Sequence, residues 1–249
     1  MKNWILVLIM LVGLSSNLVV AQTKRVYNNN KHGWYVYTGN HTFTDKWGFY
    51  IDVQFRRHDI LPDPQQFVTH MGLTYSLSKD VSVAGGYVYA HTYPYGDTPA
   101  LDDFPEHRAY EQVQLKATYG RFLVQHRFRL EQRFVKRPFA EEATYLNRAR
   151  YQFKTTLPLS GPTLEEKEAY VSGSNEVFIG FGKNVQANIF DQNRAYAGVG
   201  YKFSKAASLE VGYMHQLLQS GGGINFESNH TLQVTVGYNL DFRKDTASQ

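Results

Sequence analysis

The stretch LVQHRFRLEQRF, Leu123 to Phe134, limits what this chain can fold into more than any other part of it. Val124, His126, Phe128, Leu130, Gln132 and Phe134 hold one set of alternate positions, and Gln125, Arg127, Arg129, Glu131 and Arg133 hold the other. A period of two belongs to a β-strand, whose successive side chains leave on opposite faces. On a soluble sheet the arginines would meet water. In a membrane barrel the same letters turn inside out, and the aromatic face meets lipid.

The alternation recurs along the chain. WGFYIDVQFR sets Trp47, Phe49, Ile51, Val53 and Phe55 against Tyr50, Asp52, Gln54 and Arg56, and NRARYQFKTTL sets Ala149, Tyr151, Phe153, Thr155 and Leu157 against Arg148, Arg150, Gln152 and Lys154. The cleanest case alternates Leu232, Val234, Val236, Tyr238, Leu240 and Phe242 with Thr231, Gln233, Thr235, Gly237, Asn239 and Asp241. Eleven segments read this way: 34–42, 47–58, 66–77, 81–92, 106–119, 122–135, 144–157, 169–181, 192–203, 207–218 and 229–242. Most reach the roughly 9–11 residues with which a tilted strand crosses a bilayer. Links at 43–46, 78–80, 120–121 and 204–206 are tight; those at 59–65, 93–105, 136–143, 182–191 and 219–228 are longer. Short turns on one rim and long loops on the other is the outer-membrane layout, which the long link at 158–168 breaks. The fold expected is a single antiparallel transmembrane β-barrel of 10–12 strands. Even parity favours twelve, with residues 22–31 supplying the short extra strand.

The first residues point to export. Met1 and Lys2 are followed by an apolar run from Trp4 to Leu14, and Val19 to Ala21 leaves small residues before a cut ahead of Gln22. The expected organisation is a signal peptide over 1–21, an N-terminal segment over 22–33, a barrel over 34–242 and a short tail over 243–249. The 249 residues contain no cysteine, so the hydrogen-bond ladder has to hold the fold together. Aromatics make up 15%, and no apolar run after residue 21 is long enough for a helical span. A formal charge of +4 on an exported chain does not suggest nucleic acid as a partner.

TVGYNLDF, at the end of the last segment, resembles the signal that hands outer-membrane barrels to their assembly machinery. Thr235, Gly237, Leu240 and Phe242 fill its slots, although RKDTASQ follows the aromatic that usually stands at the terminus. The series EHRAYEQVQL, HRFRLEQRF, NRARYQF, SNEVF, DQNRAYAGVGY and LEVGYMHQ resembles the bacterial proteins grouped as domain of unknown function 2490, which are regarded as outer-membrane β-barrels. That resemblance spans about Trp34 to Phe242 and implies the fold and a Gram-negative outer membrane. It carries no functional residues with it.

An arginine against hydrocarbon near the bilayer midplane costs about 2–4 kcal/mol, so the arginine face should line the lumen. The basic lining expected is Arg56, Arg108, Lys116, Arg127, Arg129, Arg133, Arg148, Arg150, Lys154 and Arg194, against the acids Asp52, Glu106, Glu131, Glu176 and Glu210. Twelve strands about 4.8 Å apart would enclose a backbone cylinder roughly 24 Å across, less about 6 Å of side chain per wall. So narrow a bore supports two functions: a pore or binding barrel for a small anionic solute, or a structural barrel closed by its own salt bridges. An outer-membrane hydrolase or acyltransferase is a third class, but no catalytic constellation is recognisable. His126 and His215 fall on the lipid-facing register, and only His91 and His107 stand near a long loop. The acids Asp97, Asp102, Asp103 and Glu106 lack the spacing of a calcium loop, so neither metal nor cofactor is expected.

TYGRF fixes one register in advance, because Gly120 suits the first position of a type II′ turn and puts Tyr119 opposite Phe122. Arg108 then faces Arg133, and a carboxylate has to sit between them. Glu131 is the expected anchor, reaching Arg108, Arg129 and Arg133.

Overall fold

A computed structural model describes residues 26–96, 99–185, 188–220 and 224–243. The expected signal peptide lies outside the described residues. Eleven strands close into one barrel in sequence order: β1 (Val26–Thr42), β2 (Trp47–His58), β3 (Asp63–Ser76), β4 (Val81–Thr92), β5 (Phe104–Tyr119), β6 (Phe122–Val135), β7 (Thr144–Pro158), β8 (Glu168–Phe181), β9 (Phe190–Lys202), β10 (Ala207–Ser220) and β11 (Asn225–Tyr238).

The count corrects the expectation of twelve. Residues 26–31 do not form a strand of their own but lengthen β1, which begins at Val26 rather than Trp34. Up-and-down chains with an odd number of strands bring the first and last together pointing the same way. β1 therefore pairs with β11 in parallel, from Val26↔Asn225 to Thr38↔Gly237, while every other neighbour is antiparallel. The last strand also ends earlier than expected, at Tyr238; beyond it a parallel bridge joins Asp241 to Thr42.

Local chemistry sets the turns. In three short links the hydroxyl of Thr44, Ser78 or Ser204 accepts a hydrogen bond from the amide three residues on, at 2.9, 3.1 and 3.1 Å, which caps the turn with a side chain. The fourth is the Gly120 turn, with φ at 59°, and it sets the expected register: Tyr119↔Phe122, Gln112↔Arg129 and Arg108↔Arg133. The long link between β7 and β8 is folded onto Glu168. Its carboxylate accepts the amides of Ser160 at 2.9 Å, Gly161 at 2.6 Å and Glu165 at 2.9 Å, while Arg121 holds the Pro158 carbonyl at 2.7 Å.

The two faces sort as the alternation predicts, since on β6 Phe128 and Leu130 are exposed and Arg129 and Glu131 are buried. Not every aromatic faces out, however. Trp34, Tyr110, Tyr170 and Phe178 are buried inside, and Tyr110 lies flat over a pair of inward glycines. A Cβ on Gly72 would come within 2.2 Å of its hydroxyl, and one on Gly86 would stand 2.2 Å from the Met71 carbonyl oxygen. Gly85, next in sequence, looks outward with nothing closer than 3.9 Å.

These neighbours should therefore differ sharply on substitution. Gly86→Val is expected to destabilise the barrel by about 1–3 kcal/mol or prevent its assembly. Gly85→Val should be neutral or slightly stabilising, because valine suits a strand better than glycine. Urea titration of the two variants in detergent, followed by the gel-mobility difference between folded and unfolded barrel, compares them directly.

Candidate functional site

β5 to β9 carry an ionic wall. Arg127 reaches Glu176 at 2.7 Å, and Arg150 joins Glu176 at 2.8 Å to Glu131 at 2.5 Å. Arg148 links Glu131 at 2.5 Å to Asp191 at 2.7 Å. Arg133 lies 3.9 Å from Asp191 and 2.5 Å from Glu106, whose carboxylate also takes Arg108 at 2.6 Å. Arg129 stands 3.9 Å from Glu131 and donates to the Gln112 carbonyl at 2.7 Å. The ladder thus has six arginines sharing four carboxylates. Glu131 is only 1% exposed and Arg129 and Arg148 only 4%, so this tier of the ladder is packed closely inside the barrel.

The facing wall is built from amides. Asn30 donates to Asn229 at 2.8 Å, Asn229 to Gln216 at 3.2 Å and Gln216 to Gln192 at 2.5 Å. Asp52 is buried here, but its partner is His70 at 2.8 Å, together with Gln54 at 2.7 Å, and not an arginine.

Arg56 and Arg194 stand where the walls meet. Arg56 donates to the carbonyls of Gln54, at 2.5 and 2.9 Å, and Gln66, at 2.7 Å, and Arg194 donates to Gln192 at 3.0 Å. Neither forms an ion pair among the described residues. Both guanidinium carbons lie over the Trp34 ring, at 3.8 and 4.9 Å from its centroid, and Arg194 is also 4.7 Å from that of Phe178. A cavity of about 620 Å³ opens from this point toward the long-loop end, lined by seven arginines against two carboxylates, Glu106 and Asp191.

A protein-family model described as a protein of unknown function (DUF2490) matches residues 31–227. The chain belongs to this family. No curated protein and no solved structure matches it. What can be said of this DUF2490 barrel's interior therefore comes from its own residues.

Most of the expected lining is brought together, with changes of partner. Glu131 is an anchor, but its strong contacts come from Arg148 and Arg150 on β7. Glu106, not Glu131, bridges the facing pair Arg108 and Arg133. The cross-strand register explains this: Glu131 lies directly opposite Arg148, while its other neighbour is the ring of Tyr110. Lys116 and Lys154 join no ion pair among the described residues, and Glu210 accepts from the Tyr196 hydroxyl at 2.8 Å.

Two lumen groups escape strict alternation because β-bulges turn them inward. The irregularity opposite Phe178 and Ile179 leaves Asp191 unpaired beside Gln192, and one opposite Arg56 and Arg57 does the same for Gln65. Gln65 accepts from the Trp34 indole at 3.2 Å and contacts His32 at 3.0 Å.

Of the assembly residues, Thr235 and Gly237 sit in β11 opposite Glu210 and Ser208. Leu240 and Phe242 follow the strand, and Phe242 stacks on Phe43 at 5.8 Å. Just beyond, Arg243 hydrogen-bonds both Asp241 oxygens and holds that carboxyl down at about 2. On the outer wall polar side chains pair with one another: His126 with Tyr151 at 2.9 Å, Asn175 with Asn193 at 3.1 Å, His215 with Ser228 at 2.9 Å and His107 with Tyr87. His91 meets Asp103 at 2.5 Å, and no group of three or more metal-ligating side chains occurs among the described residues. Asp97 of the same loop is outside them.

Glu131→Gln should destabilise the barrel by about 3–5 kcal/mol, since it strips a buried charge from two arginines that have no water to turn to. Glu210→Gln keeps an acceptor for the Tyr196 hydroxyl and should change stability by less than about 1 kcal/mol. Equilibrium unfolding in detergent separates the two; equal effects would show that the ionic ladder does not hold the interior.

Proposed function

We propose that this is an outer-membrane barrel, exported by a leader cleaved after Ala21, whose lumen is blocked at mid-height and whose long-loop mouth binds small anionic solutes. The charge of the mouth carries the reading, with seven arginines against two carboxylates around a cavity of about 620 Å³. Low-dielectric walls concentrate that field and raise the local concentration of anions. A pore is the weaker reading because the Glu131 and Arg148 tier fills the bore below.

The outer belt supports membrane residence. Phe55, Phe128, Leu130, Val199, Tyr213 and Val236 are all among its exposed apolar side chains, an unfavourable surface in water and a suitable one in lipid. Phe242, exposed at the short-turn rim, is available to the assembly machinery.

Val199 is 61% exposed and faces Val171 and Val211 across its neighbours. On a water-facing sheet an arginine there would be harmless. In lipid, Val199→Arg should cost about 2–4 kcal/mol and sharply reduce the folded protein in outer-membrane fractions. Normal recovery of that variant as a soluble periplasmic protein would end the membrane reading.

The lumen is tested separately. In planar bilayers the purified barrel is expected to show no steady conductance steps. Sulfate or acetate, compared with chloride at equal ionic strength, should raise its stability by about 2.7 kcal/mol at a hundred times the dissociation constant. Ohmic steps, or no stabilisation by any anion, would overturn the binding-barrel assignment.

A further inference from the structure

We infer that Arg56 and Arg194, held on Trp34, form a two-guanidinium clamp for the carboxylate of a small organic acid whose apolar body lies against Phe104, Leu101 and Leu146. The inference rests on the anion-binding reading above and names its site and ligand class.

Every other arginine of the ladder has its charge met by a carboxylate or lies within 4 Å of one. Arg56 and Arg194 instead have amide carbonyls and the Trp34 ring as partners. A cation–π contact stabilises a desolvated guanidinium without cancelling its charge, so the pair stays available to an incoming anion. A guanidinium has five N–H donors. Arg56 spends three on Gln54 and Gln66, and Arg194 spends one on Gln192.

The two charges are also close. Their carbons lie 3.8 and 4.9 Å from one ring centroid, so they cannot be further apart than the 8.7 Å to which those distances add. At that separation like charges repel, and one anion between them relieves both. The ring and the amide carbonyls hold each guanidinium in place, and the N–H groups left over on both suit a planar carboxylate. Trp34 is 3% exposed at the floor of the cavity, so it serves chiefly as a platform that positions the arginines.

The ligand body follows from the rest of the lining. Leu101, Phe104, Val135, Leu146, Leu218 and Tyr95 add apolar side chains to the cavity lining, which an inorganic anion would leave unused. A volume of about 620 Å³ falls within the ordinary range for small-molecule sites.

The test is calorimetric titration of the solubilised full barrel with phenylacetate, with its neutral analogue 2-phenylethanol and with sulfate. Phenylacetate is expected to bind at least tenfold more tightly than 2-phenylethanol. Arg56→Gln and Arg194→Gln should each weaken it about tenfold or more while the heat-modifiable gel shift is kept. Arg56→Lys, which keeps the charge and loses the fork, should fall between wild type and Arg56→Gln, and it reports on the clamp even if a glutamine variant fails to fold. Phenylacetate binding that survives both arginine changes but is lost in Arg137→Gln, a variant of the loop arginine at the mouth, would overturn the clamp and leave the wider anion reading standing. If no anion binds to the wild-type barrel, both fall.

Discussion

The interior depends on the carboxylate of Glu131. It is almost wholly withdrawn from water and held by Arg148 and Arg150, with Arg129 at 3.9 Å. A buried carboxylate without partners would be strongly destabilising, and so would these arginines without it. Each is tolerable because the barrel register puts β6 and β7 side by side with Glu131 directly opposite Arg148. The same contact occupies the bore. The interaction that makes an arginine-rich strand admissible inside the barrel is thus also the one that crowds its bore.

Much of this was legible from alternation alone. Period two gives the strands, the burial of Arg129 and Glu131 and the exposure of Phe128 and Leu130, and the glycine of TYGRF gives the β5–β6 register residue for residue. Alternation says nothing about which of two neighbouring strands supplies a partner, so of the expected partners Arg108, Arg129 and Arg133 only Arg129 stands near Glu131, at 3.9 Å, while β7 supplies its strong contacts. It also misses a residue displaced by a bulge: Asp191 and Gln65 break the pattern locally, and both do so at the rim of the cavity. The apolar residues inside have a role that a two-residue period does not reveal. Alternation puts Phe178 on the face of Glu176 but does not say that it and Trp34 carry arginines.

The strand count has a physical cause that pattern reading could not supply. Twelve strands would have closed antiparallel, with residues 22–31 turning back on the rest. A seventeen-residue β1 instead continues straight from Val26, pairing with β11 over Val26–Thr38 and with β2 over His32–Thr42, so the same strand closes the barrel on both sides. Parallel pairing is slightly weaker per residue than antiparallel, but a long seam of thirteen partnered positions offsets that difference. The seam matters to the interior as well, since it carries Asn30 to Asn229 and so completes the amide wall facing the ionic one.

Two walls of different chemistry explain why the unmatched charge gathers at one place. Along the ladder each arginine added brings its guanidinium near a carboxylate, so the charge is spread among Glu176, Glu131, Asp191 and Glu106. Amides can accept a guanidinium's hydrogen bonds but cannot neutralise it. An arginine at the boundary between the walls is therefore solvated by protein without a carboxylate paired to it, which describes Arg56 and Arg194. Both line the long-loop cavity, which the Arg148 and Arg150 end of the ladder also reaches. A barrel needing only a plug would gain stability from a carboxylate at that boundary. Placing Trp34 there instead holds the two guanidiniums in position and leaves their charge unspent.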